Sequence, residues 1–315
     1  MRGNLKSCQN KPPYSNRGVN KKGCDKLSVL NLEVGFTVDW ISASFNNYEG
    51  MKFAKKIGFN GWASDVEGVC PRGYNMCREL ETGALIAWHT ENKQQGTLVV
   101  LSGSALRWYY GKNVDWLQML TWIKECGGRT SRVDLAVDIK NGGIQQKDLC
   151  KPNRKPYKGK GRTPKWLPVG EPEEGWTWYV GSRSSDKFLR VYDKAKERGD
   201  YDTDYIRVEL ECKGEVAHAI GHAFPLQGTS ECKAMACTLI KGTADISHPA
   251  WAIAMECEPM VLTMPQGKRK DTLGWLVNVC APALAKQIVL KPHEAVLDEF
   301  WDALRKELLE RGVDA

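Results

Sequence analysis

Ser131-Arg132-Val133-Asp134-Leu135-Ala136-Val137-Asp138-Ile139 alternates apolar and polar side chains along its length. In an extended chain, successive side chains point to opposite faces of a sheet. Val133, Leu135, Val137 and Ile139 therefore share one face, and Arg132, Asp134, Ala136 and Asp138 share the other. This is the pattern of a half-buried strand, and it implies an antiparallel sheet with one apolar and one polar face.

The flanking sequence supports the same class. Upstream, residues 113–126 repeat apolar positions (Val114, Trp116, Leu117, Leu120, Trp122, Ile123) with helical spacing, and Gly127 and Gly128 supply a stop. Period-two strands are expected at residues 37–45, 84–89 and 97–102, and again at 176–181, 188–192 and 205–212, followed by a helix near 215–224. The expected architecture is α+β: antiparallel sheets with flanking helices, in two similar β-rich halves, with a helical C-terminal tail. That tail ends in an amphipathic helix at 292–309, with Val296, Leu297, Phe300, Trp301, Leu304 and Leu308 on its apolar face.

Three regions divide the chain of 315 residues. Residues 1–33 are polar and basic, with too little apolar content to fold alone, and are expected as a flexible arm. Residues 34–224 form the main domain, interrupted by a basic loop at 151–175, and 225–315 form the mainly helical region. The loop carries Lys155, Lys158, Lys160 and Arg162 with no acid among residues 151–165. A run of this kind suits a phosphate backbone, whose counterions are released as its charges are neutralised. The net charge of +7 points the same way but more weakly. No apolar run approaches the roughly 18 residues of a membrane span. No apolar signal-like stretch precedes the eleven cysteines, none of which form a C-x-x-C pair, so reduced thiols and a cytoplasmic location are expected.

The polar positions of three strands carry the candidate chemistry: Arg132, Asp134 and Asp138; Arg190 and Tyr192; Arg207, Glu209 and Glu211. If these strands are neighbours, carboxylates, arginines and a tyrosine hydroxyl share one sheet face. Burying that set is costly unless the charges pair or hold a hard cation such as Mg²⁺ or Mn²⁺. Arg183, Lys187 and Lys194 interleave with Trp178, Phe188 and Tyr192, a combination suited to unpaired DNA. Solvated strand faces with cross-strand ion pairs are the plain alternative.

At these residues the chain resembles the replication-initiation proteins of rolling-circle plasmids, with relatives among filamentous phages and the relaxases of integrative conjugative elements. The stretch Y-V-G-S-R-S-S-D-K-F-L-R-V-Y-D-K-A-K-E, residues 179–197, is similar to the family's G-S-R-x-S and R-x-Y-[ND]-K-x-x-E motifs. S-R-V-D-L-A-V-D and Tyr205-Ile206-Arg207-Val208-Glu209 are similar to its arginine-aspartate and R-x-E strands, and V-V-L-S-G-S-A-L, residues 99–106, to a strand-to-helix turn of the phage branch. The likeness covers about residues 37–224.

The resemblance implies an origin-specific nicking and rejoining enzyme. Tyr192 would be the nucleophile forming a 5′-phosphotyrosine, assisted by Arg190 and Arg207. Asp134 and Glu209 would bind the metal, with Asp138 and Glu211 as further candidates, and Arg132 would contact DNA. It also implies a host helicase, polymerase and single-strand-binding protein as partners, and leaves a homodimer open. The alternatives are a DNA-binding protein or repressor without chemistry, and a metal-dependent nuclease that uses water. The His-hydrophobic-His metal motif of many tyrosine nickases is absent from the sequence, and His218 with His222 is expected to serve packing or the surface.

Overall fold

The computed structural model describes residues 31–59, 70–71, 73–149, 165–171, 173–263, 285 and 293–310. The alternating stretch that opens the sequence reading lies in β5 (Arg129–Lys140), at the centre of the sheet between β1 (Glu33–Phe45) and β9 (Tyr205–Lys213). The sheet has nine strands in the order β2-β3-β4-β1-β5-β9-β8-β7-β6, every neighbouring pair antiparallel. The remaining strands are β2 (Met76–Glu79), β3 (Ala84–Trp88), β4 (Thr97–Leu101), β6 (Trp166–Glu171), β7 (Gly175–Val180) and β8 (Lys187–Asp193).

That order contains the two similar halves. In each half a long strand, β1 or β5, is followed by an antiparallel meander whose last strand, β4 or β9, folds back beside it. The halves then meet along β1 and β5.

Helices flank the sheet. They are α1 (Asn47–Lys56), α2 (Gly103–Tyr110), α3 (Trp116–Glu125), α4 (Gln146–Leu149), α5 (Lys194–Glu197), α6 (Gly214–Ala223), α7 (Thr229–Thr243) and α8 (Pro249–Ala254). Val133, Leu135, Val137 and Ile139 of β5 and Val208, Leu210 and Cys212 of β9 are fully buried, in one core with Leu120, Ile123, Ile220 and Phe224. Gly127 takes φ +68 just beyond α3, the left-handed conformation expected at that stop.

Two expectations change. The basic loop placed at 151–175 contains strand β6, an edge strand whose side chains are almost all exposed, so it shows no apolar alternation. Its order comes from backbone pairing with β7, and Pro168 is tolerated because an edge strand can spare a donor. The rest of that loop, with Lys155, Lys158, Lys160 and Arg162, lies outside the described residues, as does the arm up to residue 30. The first compact unit also continues past residue 224, to Leu262, because α7 and α8 bury Cys232, Met235, Cys237, Ile240 and Trp251 in the same core. A second unit, Thr263–Ala315, contains α9 (His293–Glu310), the expected terminal helix.

Helix α6 packs on β5 closely enough to require glycine. A Cβ on Gly221 would overlap the Thr130 hydroxyl and lie 2.7 Å from Thr130 Cβ, and Thr130 is itself buried. Gly221→Ala should therefore destabilise the protein by about 1–2 kcal/mol, overpacking outweighing the better helix propensity of alanine. The urea midpoint measures this, and an unchanged or raised midpoint would refute the close packing.

Candidate active site

Strand register places the polar side chains in rows across the second face of the sheet. Ala136, Glu209, Arg190 and Tyr179 form one row; Asp138, Arg207, Tyr192 and Thr177 the next; Asp134, Glu211 and Phe188 a third. The sequence alternation thus becomes a two-dimensional array, in which neighbours in a row come from strands far apart in sequence.

Arginines neutralise the carboxylates of this array. Arg132 grips Asp134 with two hydrogen bonds, Nε to Oδ1 at 2.8 Å and Nη2 to Oδ2 at 2.6 Å, and the same Nη2 lies 2.9 Å from Glu211 Oε2. Arg190 pairs with Glu209 and lies 3.7 Å from Asp134 Oδ2. Arg207, only 4% exposed, is bidentate to Asp138 at 2.7 and 2.9 Å and meets Asp39 at 2.9 Å. Pairing of this kind is what makes so much buried charge tolerable.

Tyr192 donates its hydroxyl proton to Glu209 Oε2 at 2.9 Å. Burial, and then the negative charge of Glu209, push the phenol well above the ordinary tyrosine range. Lys194 has its ammonium 5.4 Å from the Tyr192 ring and is paired with Glu197. Burial likewise lifts the Asp134 carboxyl to about 6, although Arg132 pulls against it.

Above this floor is an open pocket of about 610 Å³. Of the residues singled out in the sequence, it gathers Arg132, Asp134, Arg190, Tyr192, Lys194 and Glu209. Arg207, Asp138 and Glu211 are on the same sheet face but do not line the pocket, and Arg207 with Asp138 forms a closed ion pair. Arg183 stands over Tyr179 and Phe188, whose rings stack at 5.5 Å, and Lys187 lies on β8 across from Cys212. Trp178 faces the core instead, because it alternates with Tyr179 on β7.

The strand-to-helix turn expected at residues 99–106 is where α2 begins, but neither Asp39 nor the pocket-facing residues of α2 were among the expected site residues. Asp39 sits where the β1–β5 register shifts between Val38 and Trp40, and such a bulge re-aims a side chain. Its carboxylate approaches the start of α2 so closely that a Cβ on Gly103 would lie 2.6 Å from Asp39 Oδ1. Ser104 and Arg107 of α2 join Trp40 and Asp39 in the pocket wall. The apolar triplet Ala105, Leu106 and Tyr109, at helical spacing, was the available signal for α2.

Among the described residues, no three His, Cys, Asp or Glu side chains converge in a geometry that could hold a metal ion. The donor set nonetheless has the chemistry of a hard-cation site, since a single guanidinium nitrogen of Arg132 bridges oxygens of Asp134 and Glu211. A divalent ion at that position would have to displace the guanidinium.

A solved structure of a rolling circle replication initiator protein from Geobacillus stearothermophilus is similar in fold: TM-score 0.54, 16% identity, covering 77% of this chain and 92% of that one. No curated protein matches the chain. Among the described residues, no helix is long and apolar enough to cross a membrane. The family model for the replication initiation factor matches residues 128–299, from β5 past β9 and beyond residue 224, where the resemblance seen in the motifs fades. That match takes in more than half of the sequence, and the chain belongs to the replication initiation factor family.

Proposed function

We propose that the chain initiates rolling-circle replication by nicking and rejoining one DNA strand through Tyr192. The observation that carries this reading is the Tyr192 hydroxyl, hydrogen-bonded to Glu209 on the floor of a pocket flanked by Arg132 and Arg190. A phenol held protonated needs a base at the moment of attack, and Glu209 is already in place to accept the proton.

Tyr192 Oη attacks the scissile phosphorus as its proton passes to Glu209, and the bond from phosphorus to the 3′ oxygen breaks. The 3′ oxygen leaves and takes a proton from solvent, and the 5′ phosphate stays on the tyrosine. Arg190 and Arg132, about a quarter exposed and facing the pocket, stabilise the charge that builds on the phosphate. Lys194 supports the phosphate from beside the ring. The phosphotyrosine keeps the energy of the broken bond, so a returning 3′-hydroxyl can reverse the step without ATP.

Asp134 and Glu211, whose oxygens Arg132 now bridges, would hold Mg²⁺ or Mn²⁺ once the guanidinium turns to the phosphate, which leaves Glu209 to take the proton while Asp138 is committed to Arg207. When bound, the ion would polarise the scissile phosphate. The substrate would be a replication origin, single-stranded at the nick, in the cytoplasm of a bacterial host. A helicase, a polymerase and a single-strand-binding protein would then unwind, copy and cover the strands.

The test is incubation of the protein with Mn²⁺ and single-stranded oligonucleotides tiled across its cognate origin, followed by denaturing electrophoresis. A covalent adduct is expected whose DNA-bearing peptide maps to Tyr192, is absent in chelator and returns with Mn²⁺. Cleavage with free 5′-phosphates and no adduct would replace the tyrosine mechanism with water attack.

A further inference from the structure

Helix α2 belongs to the first half of the sheet, yet Gly103, Ser104 and Arg107 line the same pocket as Tyr192 and Arg190. Outward from Arg107 the chain presents Trp108, 45% exposed, and then Lys112, whose Nζ lies 5.6 Å from the Trp108 ring. Ala105, Leu106 and Tyr109 are buried, and the Tyr109 hydroxyl is tied to the Ile57 carbonyl at 2.6 Å, so the outward side chains ride on a fixed element.

The electrostatics of this strip are one-sided. Residues 103–112 contain no acid. The Arg107 side chain is 63% exposed, and among the described residues its one ion contact is a long 3.7 Å approach to Asp39, a carboxylate already paired with Arg207 at 2.9 Å. The strip therefore offers two cations and an indole face, continuous with the pocket wall. Phosphates and unpaired bases complement that combination, because an aromatic face stacks any base while lysine and arginine follow the backbone. Paired bases keep their faces inside the duplex and gain nothing from the indole.

We propose that Arg107, Trp108 and Lys112 form a landing strip for the single-stranded DNA flanking the nick, with one base stacked on Trp108 and phosphates on Arg107 and Lys112. The inference rests on the reading of the pocket as the nicking site and adds a DNA contact from the half of the chain that does not carry the nucleophile.

The full chain carrying Tyr192→Phe, which cannot form the adduct, serves as parent. Its binding to a fluorescein-labelled single-stranded oligonucleotide of mixed sequence, and to the matching duplex, is read by anisotropy over a range of salt. Trp108→Ala is expected to weaken single-strand binding roughly tenfold and to leave duplex binding and the salt slope unchanged. Trp108→Phe, which keeps a stacking face, should retain most of the affinity. Arg107→Ala should reduce the slope of log K against log salt by about 0.7. Single-strand binding unaltered by Trp108→Ala, or an equal loss on duplex, would overturn the landing strip while leaving the nicking site standing. A parent that binds neither DNA would overturn the nicking reading itself, and the strip with it.

Discussion

Tyr192→Phe is expected to reduce adduct formation to below about one-thousandth of wild type, the scale on which enzymes lose rate when the attacking group is removed. The fold should persist. Phenylalanine fills the same space, Lys194 still has a ring beneath it, and Glu209 keeps its pairing with Arg190. The loss in stability is one hydrogen bond to a charged acceptor, about 1.5–3 kcal/mol. DNA affinity at low salt should be nearly unchanged, since the phosphate-facing cations Arg132, Arg190 and Lys194 remain in the pocket. The comparison variant is Tyr179→Phe, because Tyr179 occupies the neighbouring row across from Arg190. An adduct lost in Tyr179→Phe but kept in Tyr192→Phe would move the nucleophile to β7.

The same variant carries a pH signature with a definite sign. Burial and Glu209 raise the Tyr192 phenol in the folded protein, whereas in the unfolded chain it ionises near about 10. A group whose folded pKa is raised contributes its full stability below the unfolded value and loses it as pH rises further. Wild type should therefore lose stability more steeply than Tyr192→Phe between about pH 9 and about pH 11. Urea midpoints across that window measure the difference, and parallel curves would mean that Tyr192 is not held as its hydrogen bond implies.

The parts of the site that were legible in the sequence are those governed by local periodicity. Strands β5, β8 and β9 declare themselves because each alternates core and polar positions, and that alternation alone puts Asp134, Arg190, Tyr192 and Glu209 on one face once the strands are neighbours. Which arginine meets which carboxylate depends on register between strands dozens of residues apart, and composition carries no record of that. Arg207 illustrates the point: beside Tyr192 in register, it turns to Asp138 and Asp39 and leaves the pocket wall to Arg190 and Arg132. Asp39 was hidden for a different reason, since it is the position at which β1 breaks its alternation. Strand β2 is only four residues long, too short to show any period.

Arg207→Ala should be among the most destabilising single substitutions on the polar face, at about 2–3 kcal/mol. Its guanidinium is 4% exposed and satisfies Asp138 with two hydrogen bonds while holding Asp39. Removing one partner of a buried pair usually costs about 3–5 kcal/mol, because the other charge is left desolvated and unpaired. Here the carboxylates at 17% and 22% exposure can draw in some water, which brings the expected loss to the bottom of that range or just below it. For a domain of this size the melting temperature should fall by about 5–10 °C. A double substitution separates charge pairing from packing. If the cost of Arg207→Leu is chiefly the stranded Asp138 carboxylate, adding Asp138→Leu removes that charge, and the double variant should be at least about 1 kcal/mol more stable than the sum of the single losses predicts. Simple additivity would mean that Arg207 acts through packing of its stem across β9. Because Arg207 does not line the pocket, adduct formation measured well below the melting temperature should fall far less than in Tyr192→Phe. A comparable collapse would show that Arg207, through its place beside Tyr192 in the sheet register, sets the geometry of attack.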